Sequence, residues 1–279
     1  MSLANVLAIG TCRVHTPLFI AARLGWVNLL QLTPNHYLHT SSEARQMLEY
    51  FLGRRMLQKS LHPLVFDSEL GTPCYGSPFD VATLTEWMPA ASSQSFRALL
   101  DTVDHVVMEI STLKVCQFGE TFLQENFVNK LVREQTGFHG QAVLNELFRD
   151  VPPQRPNAPA YPSLLDRMRA GLQLRYLTDG ELMDDISVMH ALAPKLVLCS
   201  HFVLPAMPAR MLGKRQHCRT LIKEACQQLG IPFLDASEAL SQLEPDQQTL
   251  APDDWNHFSH TGNIAVGQYY ASQLALLGQ

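Results

Sequence analysis

The 279-residue sequence has no Cys-x-x-Cys pair, no run approaching the roughly 20 apolar residues that span a bilayer, and no Gly-x-Gly-x-x-Gly or Gly-x-x-x-x-Gly-Lys loop. Six cysteines (Cys12, Cys74, Cys116, Cys199, Cys218 and Cys226) are scattered without paired spacing. They read as reduced thiols, which speaks against a disulfide framework or a zinc site. Without a phosphate loop, a nucleotide-binding enzyme has no positive support. Basic residues are also short, 21 Lys and Arg against 26 Asp and Glu, for a net charge of -5. A general nucleic-acid binder needs a concentrated basic surface, so that class is set aside. The densest basic stretch, "RMLGKRQHCR" from Arg210 to Arg219, reads as a solvated helix face or loop, with an anion site as the alternative. The opening "MSLANVLAIG" lacks a basic n-region, and a cytoplasmic protein with no membrane span is expected.

What is present is a chain that is 46% hydrophobic and alternates short apolar runs with helical patterns. "NVLAIG", "WVNLLQL", "DHVVMEIST", "PKLVLCSHF" and "IPFLDAS" read as strands. "TSSEARQMLEYFLG", "SFRALLDTV", "RTLIKEACQQLG" and "SHTGNIAVGQYYASQLALLG" read as helices. Pro17 suits a first helical turn. The alternation predicts an α/β fold, a three-layer α/β/α sandwich on a mainly parallel sheet. Residues 1–279 are expected to form a single α/β domain. Residues 116–190 are expected to be a helical insertion or cap within it, with the Pro-rich "VPPQRPNAPAYP" as an extended loop. "GTPCYGSPFD", residues 71–80, reads as a plain loop that can also shape a pocket rim.

In an open parallel sheet, ligands collect beyond the carboxyl ends of the strands. The candidate polar groups there are Thr11-Cys12-Arg13, the stretch with Asn35, His36 and His39, Ser111 and Thr112 with Lys114, and His201. Cys12 precedes a helix N-terminus, where backbone N–H groups, the helix dipole and Arg13 favour a thiolate. A small thiol buried in a tight turn is the plainer alternative. In "DWNHFSHTGN", Asp254 stands three residues before His257, so it can orient one imidazole nitrogen and leave the other to accept a proton. A helix-capping loop explains the same residues. His257-x-x-His260 as a metal pair has no third ligand at a supporting spacing, and no metal is expected.

Together the two ends resemble the SGNH/GDSL hydrolase superfamily, which opens on strand–Gly-Asp-Ser–helix and closes on Asp-x-x-His-x-Ser-x-x-Gly. Gly10-Thr11-Cys12 stands at the opening, and Asp254, His257, Ser259 and Gly262 match the closing motif. A looser likeness is to Gly-x-Cys proteins associated with polysaccharide biosynthesis and acyl transfer. The resemblance implies an SGNH/flavodoxin-like sandwich with Cys12 as nucleophile in place of serine, His257 as base and Asp254 as its orienting partner. The superfamily's oxyanion-hole asparagine has no counterpart in "EISTLK", Glu109 to Lys114. Asn35, His39, Ser111, Thr112, His201 and Arg13 therefore remain as oxyanion or substrate-binding candidates. The expected function is cysteine-dependent acyl transfer through a thioester. The alternatives are an SGNH-type esterase or thioesterase, and a catalytically silent binding module on the same scaffold. No cofactor is expected beyond an acyl thioester co-substrate such as coenzyme A or a carrier protein. The expected partner is a small-molecule or carrier-bound acyl substrate.

Overall fold

The structure, a computed structural model, describes residues 3–30, 38–58, 61, 65, 87–88, 93–136 and 171–278. Asn35, His36, Cys74, the loop 71–80 and the Pro-rich stretch lie outside the described residues.

The central sheet is built on alternation. In β1 (Asn5–Ile9), Val6 and Ala8 face one way while Leu7 and Ile9 face the other, and all four are buried. A strand apolar on both faces has to sit inside a sheet covered on both sides. β1 pairs in parallel with β2 (Asn28–Leu30) and β5 (His105–Ile110), with Val6 opposite His105 and Leu7 opposite Val106. β5 pairs with β9 (Leu196–Ser200), and β9 pairs with β10 (Phe233–Leu234). Among the described residues this gives a five-stranded parallel sheet, ordered β10-β9-β5-β1-β2. Every residue of β5 is buried, as its central place requires.

Each face of the sheet carries its own apolar cluster. Leu7, Ile9, Met108 and Ile110 pack with residues of α2 (Ser41–Phe51), α3 (Ser93–Thr102), α5 (Asp179–Leu192) and α6 (Ala209–Leu229). Val6, Ala8, Val107 and Val197 pack with α1 (Cys12–Arg23), α7 (Ala236–Leu240) and α9 (His260–Leu277). The short α8 (Pro245–Gln248) precedes the last loop. The result is the expected three-layer α/β arrangement.

Two local readings change. Pro17 lies inside α1 rather than in its first turn, because the helix already begins at Cys12 with Thr11 as its cap. Residues 116–190 contain strands as well as helices in their described part. β6 (Lys114–Phe118) pairs antiparallel with β7 (Thr121–Leu123) and with β8 (Leu172–Tyr176), and α4 (Glu125–Thr136) follows β7. In β8 the alternating Leu172, Leu174 and Tyr176 suit a strand that is half covered. A second small sheet pairs β3 (Leu57–Gln58) with β4 (Trp87–Met88). No helix among the described residues is long and apolar enough to cross a membrane.

The contact that matters most for the site is α1 against α9, since these helices follow the two end motifs. At Gly267 an added Cβ would stand 2.5 Å from the carbonyl oxygen of Pro17, a backbone atom that cannot rotate away. Gly267→Ala is therefore expected to destabilise the protein by about 1–3 kcal/mol through overpacking. Urea denaturation would show it as a lowered midpoint with an unchanged slope, and an unchanged midpoint would contradict this close approach.

Candidate functional site

The turn carrying Cys12 is tied down by a buried carboxylate. Gly10 takes φ 148°, and an added Cβ there would lie 2.8 Å from the Cβ of Glu109, so only glycine lets β1 end this close to β5. The freed space is used by hydrogen bonds. Glu109 Oε2 accepts from the Thr11 backbone N–H at 3.0 Å and from the Thr11 hydroxyl, and Oε1 accepts from Arg13 Nε at 2.6 Å. Thr11 Oγ1 in turn caps α1 by accepting from Arg13 N. Cys12, half-buried, is held between these two anchored neighbours as the first residue of the helix.

The electrostatics correct one expectation. Burial raises the Cys12 thiol above its ordinary value, Arg13 pulls it down, and Glu109 pushes it up again. The net direction is upward, so the helix N-terminus and Arg13 do not by themselves produce a thiolate. Glu109 goes the other way. Burial alone would raise its carboxyl, but the Arg13 charge and the hydrogen bonds from Thr11 and Arg13 outweigh this and hold it ionised.

At the other end of the chain, Asp254 Oδ1 accepts from the backbone N–H groups of Asn256 (2.9 Å) and His257 (3.2 Å). Its Oδ2 lies 2.9 Å from His257 Nδ1. The hydrogen bond from Asn256 N–H is the chief cause of a lowered Asp254 carboxyl, joined by those from His257. Ser259 and Gly262 do structural work in this motif. Ser259 Oγ caps α9 by accepting from Gly262 N at 2.8 Å, and Gly262 leaves room for the Gln248 carbonyl, which a Cβ would meet at 2.6 Å.

The two ends meet at the neighbours of Cys12 and His257. Arg13 Nη1 donates to the Asn256 carbonyl at 3.4 Å. Arg215 of α6 holds the same loop, donating to the Trp255 carbonyl at 2.6 Å and to Asn256 Oδ1 at 2.8 Å, with its guanidinium 5.4 Å from the Phe202 ring centroid. Among the described hydrogen bonds none joins Cys12 Sγ to His257. The His257 side chain, 53% exposed, bonds through Nδ1 to Asp254.

The remaining candidates converge on one pocket of about 400 Å³, lined by Arg13, His39, Ser111, Thr112, His201 and Asn256 together with residues of β8 and α6. His39 is already engaged. Its Nδ1 lies 3.0 Å from Ser111 Oγ and its Nε2 lies 3.2 Å from Asn126 Nδ2. Its carbonyl accepts from the backbone N–H groups of Ser111 and Thr112 at 2.8 and 3.1 Å. Burial lowers the His39 imidazole, so it is neutral at neutral pH. Glu43, whose carboxyl burial pushes up to about 8, accepts from His39 N. His39 and Ser111 thus bond to each other, while Thr112 Oγ1 accepts from the Lys114 backbone N–H at 3.1 Å. His201 is buried, and burial with the Arg13 charge pushes its imidazole well below the ordinary range. The described residues include no group of three or more His, Cys, Asp or Glu able to hold a metal ion.

Glu109, Asn126 and Arg215 were not singled out from the sequence. Glu109 had a readable signal, a lone acid inside the otherwise apolar "HVVMEI". Such a residue has to be paired or neutralised once buried.

A family model, the TviD N-terminal domain, matches residues 4–270. Among solved structures, a catalytic mutant of an acetylxylan esterase from Geobacillus stearothermophilus is similar at 11% identity and TM-score 0.46, covering 97% of this chain and 94% of that one. An alpha/beta hydrolase from the metagenome of Lake Arreo, Spain, is similar at 11% identity and TM-score 0.44, covering 99% and 98%. A family 3 carbohydrate esterase of Clostridium thermocellum is similar at 10% identity and TM-score 0.38, covering 100% of both chains. No curated protein matches.

Proposed function

The chain belongs to the TviD N-terminal domain family, and from the geometry of its site we propose that it is a cysteine-dependent acyl-transfer enzyme with Cys12 as nucleophile, His257 as general base and Asp254 as the group that orients it. The observation that carries this reading is the joining of the two ends. The Arg13–Asn256 hydrogen bond, between the immediate neighbours of a thiol at the start of α1 and of an Asp–His pair before α9, supports it.

The raised thiol makes the base necessary. His257 Nε2 takes the proton of Cys12 as the sulfur attacks the carbonyl carbon of an ester or thioester. The carbonyl pair moves onto oxygen, and the Cys12 backbone N–H, at the helix N-terminus, faces that charge. Collapse expels an alkoxide or thiolate, which leaves with the proton from His257. In the second half His257 deprotonates an acceptor hydroxyl or amine, which attacks the acyl-Cys12 thioester, and the cysteine leaves and is reprotonated. Proton transfer requires the His257 ring to turn toward Cys12, a tightening common on substrate binding. The donor is an acyl thioester such as acyl-coenzyme A or an acyl carrier protein, or an ester, and no resident cofactor takes part.

Hydrolysis is the second reading, favoured by the exposure of His257, which admits water as acceptor. A binding module without catalysis is separated from both by the same experiment. Incubation with p-nitrophenyl acetate or acetyl-coenzyme A, followed by peptide mass spectrometry, is expected to find one acyl adduct, on Cys12, and none in Cys12→Ala. An acyl group distributed over other thiols, or no adduct under single-turnover conditions, would overturn the proposal. Partition of the adduct between water and added alcohols or amines then decides between hydrolysis and transfer.

A further inference from the structure

The pocket beside the candidate nucleophile has a charge balance unlike the rest of the chain. The protein carries a net charge of -5, yet the described lining includes Arg13, Lys114, Lys214 and Arg215 and no aspartate or glutamate. Two of these cations are compensated from outside the lining, Arg13 by Glu109 and Lys114 by Glu125 at 2.6 Å. Arg215 and Lys214 have no carboxylate partner among the described residues. Among the described residues Arg215 hydrogen-bonds to the neutral Trp255 carbonyl and Asn256 amide, besides a long contact to Met207 Sδ. Lys214, exposed on α6, reaches Tyr176, with its ammonium 6.0 Å from the ring centroid and 3.5 Å from the phenol oxygen. A guanidinium partly withdrawn from water without a directly bonded counter-charge is costly, and burial with the neighbouring Arg13 pulls its proton affinity down to about 10 against the opposing pull of Glu109.

A second, independent feature lies in the same wall. His201 is 7% exposed and its Nδ1 has no hydrogen-bond partner among the described residues, although it lines the pocket. A buried polar atom left unmatched is costly, and a ligand polar group would recover that cost. The pocket is also lined by Arg13 and Asn256, the chain neighbours of Cys12 and His257.

We propose that this pocket is a substrate subsite for an anionic group, a phosphate or carboxylate bound by Arg215 and Lys214 and hydrogen-bonded by His201, which places the attached acyl donor or acceptor at Cys12. As a substrate subsite it rests on the acyl-transfer reading. As an anion site it stands without it.

The shared chemistry has two sources, and they are separable. Calorimetric titration of Cys12→Ala, which cannot be acylated, compares coenzyme A with pantetheine, which lacks the nucleotide phosphates. It also compares a small hydroxy acid with its amide. The anionic member of at least one pair is expected to bind about tenfold tighter at low salt. Lys214→Glu, which sets a carboxylate beside Arg215, is expected to erase that preference, and Lys214→Met to reduce it. A preference confined to coenzyme A assigns the anion to the donor, and one confined to the hydroxy acid assigns it to the acceptor. Equal affinity within both pairs, or a preference that survives Lys214→Glu in protein with an unchanged circular dichroism spectrum, would overturn the proposal. Because no acyl chemistry occurs in Cys12→Ala, this failure is distinct from the absence of a Cys12 adduct in the parent protein.

Discussion

Replacing Glu109 with alanine is expected to destabilise the protein by about 3–5 kcal/mol, the usual cost of stranding one half of a buried ion pair, and to abolish acylation of Cys12. The carboxylate is 1% exposed and serves Thr11 through one oxygen and Arg13 through the other. Its loss leaves the Arg13 charge buried and removes the acceptor that fixes the turn before Cys12. Glu109→Gln separates the two contributions. The amide oxygen can still accept from Thr11, but it no longer balances Arg13, so an intermediate loss is expected. The pH dependence has a definite sign. Glu109 is held below its ordinary value in the folded protein, so its stabilisation is complete above the ordinary carboxyl range near 4.5 and is lost as pH falls through the lowered value. The stability gap between parent and Glu109→Gln is therefore expected to be full at neutral pH and to close in acid, measurable by urea denaturation at each pH. The thiol supplies a readout that stability alone would not move. Glu109 pushes Cys12 up, so the pH midpoint for iodoacetamide labelling of Cys12 should fall in Glu109→Gln. A midpoint that stays or rises would remove Glu109 from the electrostatics of the site.

The sheet was legible because its strands obey simple patterning. β5 and β9 are buried along their whole length and mostly apolar, with Glu109 the one acid among them, and β1 alternates between two cores, so their central positions follow from burial on both faces. The Asp254–His257 pair was legible because three residues of loop chemistry bring both groups together locally. What escaped was non-local. The clamp on Thr11 comes from a residue 98 positions away, and the fastening of the His257 loop comes from Arg215, inside a stretch that read as a solvated helix face or loop. Composition cannot tell a basic residue on the wet side of a helix from one turned toward the sheet edge. The small antiparallel sheet β7-β6-β8 was missed for a related reason. β8 is separated in sequence from its partner β6, and its alternation is short enough to be absorbed into a helical pattern. The sign of the Cys12 shift was also misread, because the helix N-terminus is local whereas burial and Glu109 are set by the tertiary fold.

Asp254→Asn is expected to slow acylation of Cys12 by about 10³–10⁴-fold at neutral pH, on the scale of wrong-tautomer substitutions in Asp–His pairs, with little change in melting temperature. Asparagine keeps an oxygen to accept from the backbone N–H groups of Asn256 and His257, so the turn survives. Its amide N–H, however, faces Nδ1, which must then act as acceptor, and the imidazole proton moves to Nε2. That nitrogen can no longer take the proton from the thiol. Because burial raises the Cys12 thiol, the reaction at neutral pH depends on this base. At high pH the thiol ionises without help, so the rates of the parent and of Asp254→Asn should converge as pH rises. His257→Ala should lie close to Asp254→Asn at neutral pH, and the double variant should be no slower than His257→Ala, since the pair acts as one unit. Single-turnover acylation with p-nitrophenyl acetate across pH gives all of these values. A gap below tenfold at neutral pH, or one that does not narrow in alkali, would mean that His257 is not the base and that the proton of Cys12 leaves by another route.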